Sequence, residues 1–438
     1  MSSAVWRPED DPDVRSSLEE GEVYRPDILE VIEAKIDEMS QDLRALSLDI
    51  HKHPELLYEE VHAHKTYTDF MRRQGWDVRD VDGLPTAWIA TFQHGTGGRI
   101  LGVNSEMDAL PGIGHACGHN LIGISGVAVA CAARAAMEQL DISGKVVLLG
   151  TPGMPSSLLP RCRQLAYYGE EGGFGKVKML DRGLYDGMDA CLMVHPAPGP
   201  RHSISLSSSL ALVRYRVEYT GHTAHAALSP WEGVNALDAA VLAYNNVAVL
   251  RQQLKPTHRV HGVFTGKDWY PNIIPDNAVM NWIVRAKTTA EARDTARRVR
   301  ACFEAAATAT GCTVTIEDVQ GGHELRQNVA LGEELRDVVR KRYGVIDYEW
   351  GIHSASTDFG HVTYAMPAIH PGFSIPTEPD GGNHTRGFAS AAATEVAHDA
   401  TMVVSKALAA VGVRVLTDDA FAKKVKETYE EDKRTRGA

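Results

Sequence analysis

The densest set of reactive side chains in this 438-residue chain is Gly114-His115-Ala116-Cys117-Gly118-His119-Asn120, preceded by Ser105-Glu106-Met107-Asp108-Ala109-Leu110-Pro111-Gly112. It places an acid, a thiol and two imidazoles in a few residues of a glycine-rich loop, all metal-ligand types. Cys117 and His119 are two apart, so an extended loop would point both the same way, able to grip one edge of a metal centre. A buried cysteine beside a structural histidine is the bland alternative, and it leaves the loop undecided when taken alone. Further acids and histidines follow: Glu170-Glu171-Gly172-Gly173-Phe174-Gly175-Lys176, Val194-His195-Pro196 and Gly382-Asn383-His384-Thr385. Several stand near the ends of apolar, strand-like runs, where open α/β sheets place their ligands.

The elements that must position these residues are legible from periodicity. Ile28, Val31, Ile32, Ile36, Met39, Leu43, Leu46 and Ile50 have helical spacing, and His53-Pro54-Glu55 ends the run. Val61 to Gly75 reads as a second helix, residues 86–92 and 99–104 as strands, Leu121 to Leu140 as an alanine-rich helix and 145–150 as a buried strand. Alternating strands and helices predict a mostly parallel sheet in an α/β catalytic domain. From Leu210 the pattern changes to β-α-β-β-α-β, the ferredoxin-like α+β order. The expected organisation is an arm or disordered segment at 1–24, a catalytic domain from 25–206 plus 321–415, an inserted lid or dimerisation domain at 207–320, and a charged, solvated tail at 416–438.

Composition narrows the class. Hydrophobic content of 44% and charged content of 23% are those of an ordinary soluble globular protein. A net charge of −12 argues against nucleic acid or an anionic membrane as partner. The apolar runs read as too short to cross a bilayer, and the acidic N-terminus has no apolar leader core. Six cysteines without a CxxC pair fit a reducing compartment, so a cytoplasmic location is expected, with Cys131, Cys191, Cys302 and Cys312 packed rather than reactive.

The motifs SEMDALPGIGHACGHN, EEGGFGK, VHP, GHTAHAALSPWEGVNALDA, NIIPDNA and NHT, in this order, resemble those of the M20 family of metallopeptidases and amidohydrolases. Within it the chain is most similar to the branch carrying HACGHN, and especially to the M20 domain-containing protein 2 type of dipeptidase. The resemblance spans roughly Arg25 to Val415. It implies hydrolysis of an amide bond in a small N-acyl amino acid or dipeptide by metal-activated water. It implies two divalent ions, zinc by default with manganese or cobalt as alternatives, held by Cys117, His119, Glu171, His195 and His384. Five ligands are about one too many for a lone tetrahedral zinc, which agrees with two ions. Glu170 is implied as the general base and acid, His225 as a donor to the tetrahedral oxyanion in the partner subunit's site, and Asn272 and Arg285 as substrate contacts, within a homodimer formed through residues 207–320. Asp108 is read as the acceptor that fixes a ligand imidazole. His115 fits a similar task or a structural one, and His222 reads as a turn residue.

One departure from the family pattern stands out. Gly150-Thr151-Pro152 is separated from Glu170-Glu171 by residues 153–169, where the family runs straight on. The segment is either a loop near the mouth of the site or a translated intron. Two readings therefore accompany the first: a non-catalytic binding protein on the same fold, or an inactive variant. A hydrolase using Cys117 as nucleophile is a third.

Overall fold

The structure, a computed structural model, describes residues 18–153, 174–266, 269–348 and 355–436. It divides into two compact units, one formed by Met1–Ser208, Leu325–His353 and Asp358–Ala438, the other by Ser209–Glu324 and Ser354–Thr357.

The first unit is built on helix α1 (Pro26–Lys52), started by a proline whose missing N–H costs nothing in a first turn. Its buried stripe of Ile28, Ile32, Ile36, Met39, Leu43, Leu46 and Ile50 follows the helical spacing. Helix α2 (Val61–Arg73) leads into strands β1 (Asp77–Val81), β2 (Leu84–His94) and β3 (Arg99–Glu106). Helix α3 (His119–Gln139), β4 (Gly144–Thr151), α4 (Gly175–Asp181), β5 (Ala190–Leu192), β6 (His195–Ala197) and β7 (Ser203–Ser205) follow. One sheet has the order β1-β2-β4-β3-β5-β13, where β13 is Ala368–Ile369. Its β4-β3-β5-β13 portion is parallel, and β1 and β2 form an antiparallel edge. The polar edge strand β1 carries no apolar alternation, which is why periodicity passes over it.

The chain leaves the second unit into α7 (Val329–Arg342), β12 (Val345–Asp347), α8 (Phe359–Ala365), β13, β14 (Gly372–Ser374) and α9 (Arg386–Ala391). A small sheet has the order β12-β7-β14-β6. Two corrections to the sequence reading arise here. Helices α3 and α10 (Glu395–Thr417) are, by length and composition, apolar enough to cross a bilayer. They are core helices instead, with 94% and 72% of their apolar windows buried in this unit. A helix packed on all sides has no polar face to keep, so it looks like a membrane span. The segment expected to be a solvated tail is helix α11 (Asp419–Thr435), capped by the Asp418 side chain. Phe421, Val425 and Tyr429 recur every four residues and bury one face, while the charged residues around them hide that period. At the other end, Glu19 N–H donates to Arg340 O at 2.8 Å, so residues from 18 onward run along α7.

The second unit contains β8 (Ala211–Thr220), α5 (Ala236–Leu250), β9 (Arg259–Thr265), β10 (Asn277–Ala286), α6 (Thr289–Thr310) and β11 (Thr313–Gly322). The sheet is antiparallel throughout, in the order β11-β8-β10-β9. β10 alternates strictly between buried and half-buried residues, and Met280 and Trp282 join Phe303 of α6 and Ala243 of α5 in one core. Thr288 caps α6 by accepting from Glu291 N–H. This unit reaches Glu324 because the Glu324 carboxylate accepts from Thr289 N–H at 2.9 Å, tying the exit strand to the start of α6.

Candidate metal centre

Parallel pairing gathers the carboxyl ends of three strands at one side of the sheet. Glu106 of β3 is level with Thr151 of β4, and Val103 of β3 with Leu192 of β5. Asp108, Gly153 and His195 follow these strand ends, so the candidate residues collect at one edge of the sheet.

Cys117 and His119 enter from the loop before α3. That loop is not extended: Gly118 is left-handed at φ 77°, and His119 is the first residue of α3. A side chain at 118 would be strained there, and its Cβ would sit 2.5 Å from Pro196 Cγ. The turn brings Cys117 Sγ to 3.4 Å from His195 Nε2. One donor atom from each of Cys117, His119 and His195 lies within 4.8 Å of the others. His384, also left-handed at φ 70°, donates its main-chain N–H to Ala116 O at 2.8 Å. The neighbouring Cys117 thiol raises the pKa of the His384 imidazole above the ordinary value. Glu170 and Glu171 lie outside the described residues.

The electrostatics suit a cation. Burial opposes a thiolate at Cys117, but His119 and His195 outweigh it and hold the thiol well below its ordinary range. Burial likewise disfavours a charged His119, and Asp108, Glu106 and Cys117 overcome it, raising its pKa well above the usual value. His119 Nδ1 donates to Asp108 Oδ1 at 2.6 Å, which leaves Nε2 facing Glu106 Oε2 at 3.4 Å. Asp108 thus fixes which ring nitrogen of His119 is available to a ligand. His195 Nδ1 is 2.8 Å from Pro196 O, which leaves its Nε2 toward Cys117. His115 is turned away: its Nε2 donates to Ile50 O at 3.1 Å at the end of α1, a structural task.

The second unit holds the remaining candidates. His225 is exposed and pairs with Ile273 across an isolated bridge. Its Nδ1 accepts from Ala227 N–H at 3.2 Å and Leu228 N–H at 3.1 Å. A ring that accepts at Nδ1 carries its proton on Nε2, so His225 presents a donor outward. Asn272 is exposed and its carbonyl takes Ala226 N–H at 3.0 Å, joining the two loops. Arg285, on β10, donates to Ser356 Oγ at 2.7 Å. His222, expected in a turn, instead exchanges two main-chain hydrogen bonds of 2.9 Å with Val234 in an isolated bridge.

Two curated relatives decide the family. The chain is 38% identical over 410 residues to the Xaa-Arg dipeptidase of Mus musculus and 37% identical over 416 residues to that of Homo sapiens, in each case over 90% of both chains. It belongs to the M20 family of metallopeptidases and amidohydrolases. The family's peptidase dimerisation domain matches residues 210–311, within the second unit. The fold is that of a solved M20 peptidase from Bacillus subtilis described as binding a dinuclear metal, with a TM-score of 0.64, 19% identity, and coverage of 86% of this chain and 99% of that one.

Around this M20 centre lie residues that motif reading passed over. Lys176 is fully buried, its ammonium donating to Glu106 and, at 2.6 Å, to Asp358 Oδ1. Its main-chain N–H also meets Asp358 Oδ2 at 3.2 Å. Burial alone would raise Glu106, but Lys176 and His119 hold it ionised and low. Glu106 and Lys176 stand inside the quoted motifs, and an acid ending a buried strand is a signal. Asp358 carries none, because only the folded chain brings it to Lys176.

Glu60 is the other residue missed. It is fully buried and accepts from Gly153 N–H at 3.0 Å and Thr86 Oγ1 at 2.7 Å. Gly153 lies so close to Asp108 that a Cβ there would sit 1.7 Å from the carboxylate carbon. Burial first, and then the nearby Asp108, pushes the Glu60 carboxyl up to about 7 from 4.5. Between these values the folded chain keeps a proton that the unfolded chain has released, so stability falls as pH rises through the window. A displacement of this size corresponds to about 3 kcal/mol. Glu60→Gln is expected to remove that slope, so chemical denaturation between pH 4.5 and 7 should show wild type losing stability relative to the variant. Parallel profiles would contradict it.

Proposed function

We propose that this M20 chain hydrolyses the amide bond of a small dipeptide, with two divalent ions of the zinc type as cofactors. The observation that carries this reading is the converging donor set of Cys117, His119 and His195, with the thiol held toward its thiolate form. Soft thiolate and imidazole donors suit zinc, and also cobalt, better than magnesium or calcium. Cys117, His119, His195 and His384 would hold the ions together with Glu171. When bound, such ions supply an activated water and a polarised carbonyl. Asp108 keeps the His119 ring in the ligating tautomer. Glu170 takes the proton from water and returns it to the leaving amine. His225 donates Nε2–H to the developing oxyanion, in the active site of a partner copy. Arg285 and Asn272 engage the substrate, the guanidinium suiting a terminal carboxylate. The match of the dimerisation domain to residues 210–311 supports a homodimer. The five cysteines among the described residues are unpaired, in keeping with a reducing cytoplasm.

The named relatives supply the first substrates to test, dipeptides with a C-terminal arginine. The expected result is release of free arginine that stops on chelation and returns with added zinc or manganese. Hydrolysis indifferent to chelator would overturn the reading and favour Cys117 as nucleophile. Metal retention without hydrolysis of any dipeptide or N-acyl amino acid would favour a binding protein.

A further inference from the structure

A second cluster of metal-ligand side chains lies apart from the centre just described and shares no residue with it. Asp49 and His53 stand one turn apart at the end of α1, and His62 is the second residue of α2. One donor atom from each lies within 4.8 Å of the others. The Asp49 carboxylate serves both rings: Oδ2 is 2.9 Å from His62 Nε2, and Oδ1 is 3.3 Å from His53 Nδ1. Donors about 2.0–2.2 Å from a zinc-sized ion stand roughly 3–3.6 Å from one another, so these separations are close to those of a coordination shell. The rings approach to 4.3 Å between centroids.

The three side chains sit on held backbone. The Glu55 carboxylate accepts from His62 N–H at 2.8 Å and Ala63 N–H at 2.9 Å, which fixes the start of α2. The last turn of α1 is held by His115 Nε2 on Ile50 O at 3.1 Å and by His51 Nε2 on Ala389 O at 2.7 Å. His53 Nδ1 also lies 2.8 Å from Asp49 O, a hydrogen bond that an ion taking Nδ1 would replace. All three side chains are partly open to solvent, so an ion can enter and keep water in its remaining positions.

The geometry points to Asp49, His53 and His62 as a surface site for an additional divalent ion of the zinc, copper or nickel class. Two neutral imidazoles and one carboxylate give a singly negative nitrogen-oxygen donor set, which prefers such ions to magnesium or calcium. The ion would link the end of α1 to the start of α2 across residues 54–60. In that stretch Glu55 O accepts Ala109 N–H at 2.7 Å, one residue from Asp108. The assignment does not depend on the catalytic reading, since it uses other residues.

The test is calorimetric titration of the holoenzyme with Zn²⁺ near neutral pH, for wild type and for His53→Ala/His62→Ala. Both histidines are surface residues, so the variant should fold as wild type does; its circular dichroism checks this. Wild type is expected to take up about one more Zn²⁺ per chain than the variant, with His62→Ala alone weakening that step at least about tenfold. Mg²⁺ at equal concentration should not compete. Equal Zn²⁺ uptake by wild type and double variant would overturn the site, and displacement by Mg²⁺ would overturn the donor assignment. Failure of the catalytic reading would appear separately, as resident ions missing from both proteins.

Discussion

Glu170→Gln is expected to lower turnover by about 10³–10⁴-fold while leaving the metal content unchanged. The amide keeps the size of the carboxylate but can neither accept the proton of water nor return it to the amine. Proton transfer by a positioned side chain is worth about 10²–10⁴-fold, and this single residue is assigned both transfers. The loss should fall on kcat, because the substrate contacts proposed for Arg285 and Asn272 are untouched. Turnover near that of wild type would refute the assignment of Glu170. Loss of metal together with activity would mean that Glu170 holds an ion, and that the roles of Glu170 and Glu171 are exchanged.

Lys176→Met is expected to destabilise the fold by about 3–5 kcal/mol, the cost of breaking a buried ion pair by removing one partner. Lys176, Glu106 and Asp358 are all buried, with the Lys176 ammonium between two carboxylates. Methionine fills most of the volume, so the loss reports charge rather than a cavity. Two acids would then lie side by side away from water, and one would take up a proton. Equilibrium denaturation reads the change, and a loss below about 1 kcal/mol would contradict it. Replacing all three by Met, Gln and Asn should recover much of the stability, since exchanging a whole buried ionic group for neutral residues is often close to neutral.

The site was legible in part, and the reason is chain distance. Cys117, His119 and Asp108 lie within one short loop, so residue type and spacing expose them directly. His195 and His384 are far along the chain, and only the folded chain brings His195 to Cys117 and ties the His384 backbone to Ala116. The second unit could be read in full order because most of its elements are long, and β10 alternates strictly. Glu60 and Asp358 were illegible: one is an acid at the end of a polar turn, the other an acid in a loop, and nothing local marks either for burial. Helices α3 and α11 show opposite failures of periodicity. The first is apolar all round because it is packed all round, and the second hides a narrow apolar face among charges.

Residues 153–169 interrupt the motif that supplies both glutamates, so the proposed function requires the metal centre to assemble despite them. Assembly is read from the metal content per chain of the purified full-length protein, by elemental mass spectrometry after dialysis against metal-free buffer. About two zinc or manganese ions per chain are expected, reduced in Cys117→Ala/His119→Ala. No bound metal, and none taken up at these residues on addition, would contradict it and mark the chain as an inactive member of its family.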